Sequence, residues 1–176
     1  MAAGGKTAGV GLYEKSIRSF VMRVEYINPF VEAAFNVLKE VLNTDVKRGD
    51  LYLKSTTMAI MGVAALVGLA GDVEGRVLFD MTKDTALNIA GAMNGEKFSQ
   101  LDELAKATIQ ELANMITAQA VTKLHDLGFK FDLTPPALFS GENMEISNHE
   151  VEALIVPMDL GSSGKVEINV AIREKT

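Results

Sequence analysis

Apolar positions along this chain follow two periods, one near 3.6 residues and one near 2, and the changes between them mark out helices and strands. Phe30, Val31, Ala34, Phe35, Leu38, Val41 and Leu42 recur at helical spacing. Asn28 is a good N-cap, and Pro29 suits the first helical position, where a missing N–H removes no helical bond. These signals predict a helix from Asn28-Pro29 to Asn43-Thr44-Asp45. Strands are predicted at Leu51–Lys54, Met58–Leu69 and Gly75–Asp80, with a hairpin-type turn at Gly71-Asp72. Thr82 is placed to cap a helix carrying Leu87, Ile89, Ala90 and Met93 and stopped by Gly95. A long helix is predicted from about Gln100 to His125. Then come Phe129–Leu133, a Thr134-Pro135-Pro136 turn and a loop through Gly141-Glu142-Asn143. Two last strands, Glu150–Pro157 and Lys165–Arg173, flank the loop Gly161-Ser162-Ser163-Gly164.

Strands grouped as hairpins, with helices set apart, predict an α+β fold rather than a wound parallel sheet. A helix leads a set of strands in each half, which hints at an internal duplication. The opening Met1–Gly11 is rich in Gly and Ala without periodicity and reads as a flexible tail. A short helix is predicted over Tyr13–Val21. The expected organisation is an extension over 1–21 and a single domain over 22–176.

Composition narrows the chemistry. The 176 residues are 48% apolar and 23% charged, which is ordinary for a packed domain. There is no cysteine, so a disulfide, a thiolate nucleophile and a Cys-based metal site are all excluded. The formal net charge of −6 argues against a general nucleic-acid binder. The most apolar stretch, Met58–Ala70, falls short of the ~20 residues a helix needs to cross a bilayer, and Gly62 and Gly68 interrupt it. No secretory signal, phosphate-binding loop or Gly-x-Ser-x-Gly elbow is visible. His125 and His149 lie far apart with no ligand cluster around them, and no cofactor or metal is expected on this chain. His125 suits the negative end of the long helix. Asp102, Glu103 and Lys106 read as its solvated first turn.

On that helix Glu111 and Asn114 are three residues apart, hence side by side. An apolar stripe of Leu101, Leu104, Thr108, Leu112, Met115 and Ile116 faces the other way. Ala107 and Ala118 lie one turn before and after the pair, and Gln110 and Thr117 flank it, leaving a low, flat polar patch. Spacing alone is met equally by an exposed helix face. The same Glu-x-x-Asn spacing occurs by chance in many chains, and Glu25-Tyr26-Ile27-Asn28 is another instance here.

Three longer blocks add specificity. The run Tyr26-Ile27-Asn28-Pro29-Phe30-Val31-Glu32-Ala33-Ala34 resembles the beginning of the CheX branch of the CheC/CheX/FliY chemotaxis phosphatase family. Glu111-Leu112-Ala113-Asn114-Met115-Ile116-Thr117 resembles that family's active helix, and Phe131-Asp132-Leu133-Thr134-Pro135-Pro136 the segment after it. The family motif is an acidic residue or serine, three residues, Glu, two residues, Asn. Ala107 departs from it at the first place. The CheC branch carries two such motifs and the CheX branch one. The first helix is expected to offer Glu32 and Phe35 at the matching places, so a second site is not expected.

The resemblance implies a CheC-like fold: two related helix-plus-strands halves sharing a largely antiparallel sheet, with long helices packed on it. It implies a cytoplasmic homodimer that hydrolyses the aspartyl phosphate of a phosphorylated CheY-like response regulator, with no nucleic-acid or membrane partner. Asn114 then positions the attacking water, and Glu111 pairs with a lysine of the receiver, which also supplies Mg²⁺. The rival expectation is a non-catalytic module that holds a receiver or a flagellar-switch partner, kept open by Ala107. The last strands, Glu150–Pro157 and Lys165–Arg173, are the expected edge for dimer pairing.

Overall fold

A computed structural model describes residues 8–54, 57–147 and 152–174, with side chains from Glu25 onward. The chain opens with helix α1, Ala8–Leu42. Short strands β1 (Lys47–Arg48), β2 (Tyr52–Lys54) and β3 (Met58–Ala59) follow. The hairpin of β4 (Val63–Gly71) and β5 (Val73–Met81) leads to α2 (Lys83–Asn94) and α3 (Glu103–Asp126). The second half continues with β6 (Phe131–Leu133), β7 (Ala137–Ser140) and β8 (Glu145–Ile146). It closes with β9 (Ala153–Asp159), one turn of 3₁₀ helix (Gly161–Ser163) and β10 (Lys165–Glu174).

Eight strands form one antiparallel sheet in the order β1-β9-β10-β5-β4-β6, with β2 also on β9 and β7 also on β4. The separate β3–β8 ribbon pairs Met58 with Ile146. Each half thus runs helix, three short strands, long strand pair. The halves exchange parts: β1 and β2 pair with β9 of the second half, whereas β6 and β7 pair with β4 of the first. The central pair β5–β10, with Val77 opposite Val170, joins them. Gly75 permits this pairing, because a Cβ there would lie 1.9 Å from the Ala171 carbonyl oxygen and its φ is +141°.

Period-2 alternation sets the two faces. Val63, Ala65, Val67, Val77, Phe79 and Met81 point into the main core with α1 and α3. Met58, Ala153, Ile155 and Ala171 form a smaller core on the other face. α1 and α3 run antiparallel: Tyr26 meets Phe129 edge-to-face with ring centroids 4.8 Å apart, and Lys123 reaches Glu32 at 2.5 Å.

Several expectations are corrected. α1 does not start at Asn28-Pro29; it begins at Ala8 and passes through Pro29. Pro29 removes one helical hydrogen bond, but it lies buried in the row Tyr26, Ile27, Phe30, whose packing offsets that loss. Of the expected extension, Ala8–Val21 belong to this helix, and residues 1–7 lie outside the described ones. The predicted strand from Met58 divides at Gly62, and β1, β7 and β8 stand where loops were predicted. β9 and β10 are not edges: β10 lies between β9 and β5, and β1 and β2 cover the outer side of β9. His149 and Glu150 lie outside the described residues. The Thr82 cap and the Gly95 stop occur as predicted, with Thr82 accepting from the Thr85 N–H and Gly95 left-handed at φ +66°.

Asp80 on β5 is fully buried and accepts from the Met61 N–H at 3.0 Å, while its Oδ2 has no hydrogen-bond partner among the described residues. Burial pushes its carboxyl up to about 6, with Glu167 adding to the rise and the Met61 N–H opposing it. The folded value lies above the unfolded value, so the stabilisation is fully present below pH 4 and is lost as pH rises through about 6. We expect Asp80→Asn to gain on wild type by roughly 1–3 kcal/mol between pH 5 and pH 7.5. Urea midpoints of the two proteins that differ by the same amount at both pH values would contradict this.

Candidate functional site

α3 is positioned from both ends. Asp102 caps it, accepting from the Ala105 N–H at 2.8 Å, and Lys106 pairs with Glu103 at 3.4 Å in the exposed first turn. His125 stands in the last turn with its ring edge on Phe131. Thr108 and Thr117 face inward and return their hydroxyls to the carbonyls of Leu104 and Ala113. Asn94 of α2 donates to Thr108 at 2.8 Å, and Gln110 donates to the Pro136 carbonyl at 3.1 Å. These bonds hold the helix rotationally, so which residues face outward is settled.

Glu111 and Asn114 are exposed, side by side on the outer face. Neither side chain bonds to the described residues, so both stay available to a partner. Ala107 and Ala118 are exposed above and below them. Directly beneath, Leu112, Ala113 and Ile116 are 1% exposed, which makes the backbone under the pair part of the core. The expected stripe needs one change: Leu104 is half exposed, and Ile109 and Ala113 occupy the buried face instead. Thr117 is buried rather than flanking on the surface. Sequence reasoning missed the clamps on this helix, because Asn94 and Pro136 are brought to it only by tertiary structure.

A cavity of about 670 Å³ opens at the start of α3, lined among others by Met61, Lys83, Leu101, Lys106 and Asn143. It lies a turn before Glu111 and contains neither member of the pair. Among the described residues no three His, Asp or Glu side chains are grouped to hold a metal ion, and no helix is long and apolar enough to cross a membrane.

The two long helices also correct the expected match between the halves. On α1 the exposed positions Glu25, Asn28, Glu32 and Lys39 have the spacing of Glu111, Asn114, Ala118 and His125 on α3. The buried positions Tyr26, Phe30, Ala34 and Leu38 match Leu112, Ile116, Ala120 and Leu124. The counterpart of Glu111 and Asn114 is therefore Glu25 and Asn28, not Glu32 and Phe35. Phe35 packs against the core.

Two antiparallel helices laid on a duplicated antiparallel sheet define an α+β domain of the CheC-like fold. The family model for chemotaxis phosphatase CheX matches residues 63–159, more than half of the chain. The CheY-P phosphatase CheX of Thermotoga maritima is 28% identical over 153 residues, 86% of this chain and 98% of that protein. A chain in the crystal structure of the CheX–CheY–BeF3–Mg complex from Borrelia burgdorferi is 45% identical, with 85% of this chain and 98% of that one covered at TM-score 0.75. A CheC-like superfamily protein from a Shewanella species is 32% identical with the same coverage and TM-score 0.78. The chain belongs to the chemotaxis phosphatase CheX family.

The geometry separates folding from chemistry on α3. Leu112→Ala is expected to lower stability by about 2–5 kcal/mol, whereas Glu111→Ala and Asn114→Ala should each stay within ~0.5 kcal/mol of wild type. Urea unfolding of the three variants checks this. A large loss for either polar variant would mean that its side chain supports the fold.

Proposed function

We propose that this chain hydrolyses the aspartyl phosphate of a phosphorylated CheY-type receiver, using Glu111 and Asn114. The observation that carries the reading is the pair itself: two polar side chains, uncommitted to the described residues, on a rigid helix and flanked by alanines. The Borrelia complex, in which a CheX chain accompanies CheY, supports the choice of partner.

The reaction is attack of water on phosphorus. The water oxygen forms a bond to phosphorus as the bond from phosphorus to the receiver's aspartyl oxygen breaks. The carboxylate leaves with the electron pair, the water's proton passes to a phosphate oxygen, and inorganic phosphate departs. Little covalent work falls to the helper, because such reactions depend on positioning and charge. The Asn114 amide oxygen accepts a hydrogen bond from the water and, being neutral, is not repelled by the phosphoryl group. Glu111 pairs with a receiver lysine and fixes the docking angle. The receiver contributes the Mg²⁺ beside its own aspartate; this chain contributes no metal. Both proteins act in the cytoplasm.

Asn114→Ala should slow receiver dephosphorylation roughly tenfold or more while affinity holds. Glu111→Ala should weaken docking about three- to tenfold at low salt, with the difference shrinking as salt rises. Phosphate release from a phosphorylated receiver, measured across an ionic-strength series, tests both. Wild-type activity in Asn114→Ala removes the water-positioning role. Binding without any acceleration by wild type favours the non-catalytic module, with Ala107 in the motif's first place as the reason.

We further propose that the chain pairs with itself along β2. Leu51, Tyr52 and Leu53 are 46%, 36% and 47% exposed in succession, and β2 is bonded only to β9 among the described strands. An exposed apolar edge of this kind favours strand addition. Sedimentation at micromolar concentration should show a dimer that Leu53→Lys converts to monomer. A monomeric wild type would exclude this pairing.

A further inference from the structure

The side chain of Asn114 is a primary amide, and such an amide has two ends. Turned one way it offers a water an oxygen acceptor; flipped by half a turn it offers N–H donors instead. Only the first setting serves the proposed reaction. Glu111 is committed to a receiver lysine in that reading, and Ala107 and Ala118 have no polar side-chain atom to select the setting. Gln110 does. It stands one turn before Asn114 at i, i+4, half-buried, and its Nε2 donates to the Pro136 carbonyl at 3.1 Å. A carbonyl only accepts, so the nitrogen of the Gln110 amide must face Pro136 and Oε1 is directed elsewhere. The anchor is itself fixed. The Thr134 N–H donates to the Gly68 carbonyl at 2.9 Å, and the Thr134 Oγ1 accepts from the Gly68 N–H at 2.8 Å. Ala137 lies opposite Leu66 of β4. Pro135 and Pro136, between these two attachments, have φ set by their rings.

We propose that Gln110 is a positioning residue for receiver dephosphorylation, an inference that rests on the reading of Asn114. When a receiver docks, the Asn114 Nδ2 donates to the Gln110 Oε1, and this bond turns the Asn114 oxygen toward the water. Helical side chains lean toward the N-terminal end, so that of Asn114 lies over the turn that carries Gln110. Gln and Asn at i, i+4 bond to one another on helix surfaces. The Gln110 oxygen is the acceptor left over once Pro136 has taken the nitrogen. In the free chain the Asn114 amide bonds to none of the described residues, and hydrogen bonds that serve a reaction commonly close only in the complex. The result is a relay of two bonds, Asn114 to Gln110 to the Pro136 carbonyl, in which each polarises the next. Gln110 touches neither the water nor the phosphoryl group. It transmits to Asn114 the rigidity that β4 gives the turn at Pro135-Pro136.

The test separates the acceptor from the clamp. Gln110→Lys keeps a donor for the Pro136 carbonyl but has no acceptor, whereas Gln110→Glu keeps the acceptor but has no donor. Folding of each is checked by urea unfolding, and affinity is read on a receiver activated with beryllofluoride and Mg²⁺. Turnover of a phosphorylated CheY-type receiver at saturation should fall roughly three- to tenfold in Gln110→Lys, the worth of one hydrogen bond, with affinity undiminished. Gln110→Glu should recover most of that loss, although it is the less stable of the two. A clamp on the helix alone gives the opposite order, with Gln110→Glu the slower. Wild-type turnover in Gln110→Lys, or a Gln110→Glu no faster than Gln110→Lys, overturns the positioning role. Asn114→Ala is measured beside them. If it loses turnover while Gln110→Lys keeps it, the reading of Asn114 stands and that of Gln110 falls. If Asn114→Ala keeps full turnover, both fall.

Discussion

The outer helix face of this protein is placed by the antiparallel packing of α1 on α3 over one face of the sheet. Ala33, Ala34, Ala113 and Ala120 are all at most 1% exposed in this layer, and small side chains let helices approach closely. Around them Tyr26, Phe30, Leu38, Ile109, Leu112, Ile116 and Leu124 fill the space above the sheet. Close packing leaves each helix a single rotational setting, because a turn of even one position would expose several of these side chains and bury charged ones. The outward direction of Glu111 and Asn114 is a consequence of that constraint.

The exchange between halves adds a second level. The strands following α1 pair with the hairpin of the second half, and those following α3 with the hairpin of the first. Neither half can complete its part of the sheet alone. The helices are thereby tied to the sheet from both sides, and local opening of one helix must disturb strands of the opposite half. A rigid helix gives a more exact site than a loop, which suits a reaction governed by positioning.

Much of this was legible in the sequence, for identifiable reasons. α3 and its polar pair were found because a long helix repeats its period many times, and Thr82 and Gly95 because capping chemistry is local. Other features depend on distant residues. Lys47–Arg48 carries no strand signal and becomes a strand only through Asp159 and Met158 opposite it. Pro29 imitates a helix start, and only the buried row around it shows that the helix continues. β9 and β10 read as terminal and hence as an edge, but the exchange between halves places them inside the sheet. Leu104 fits an apolar stripe on spacing alone, yet it stands half exposed because Ile109 and Ala113 set the rotation of the helix.

The duplication also changes what counts as a coincidence. A Glu-x-x-Asn spacing anywhere in a chain has little weight, since two polar residues three apart on an outer helix face meet no packing constraint. The inner rows are different: the core demands apolar residues at Tyr26 and Leu112, at Phe30 and Ile116, at Ala34 and Ala120. Nothing in that demand selects Glu and Asn at the intervening outer places, where lysine, glutamine or serine would fold as well. Packing therefore accounts for the frame in which both pairs sit but not for the side chains they carry. Those are not fixed by the core, so the outer faces of the two helices can differ in chemistry with little change in stability.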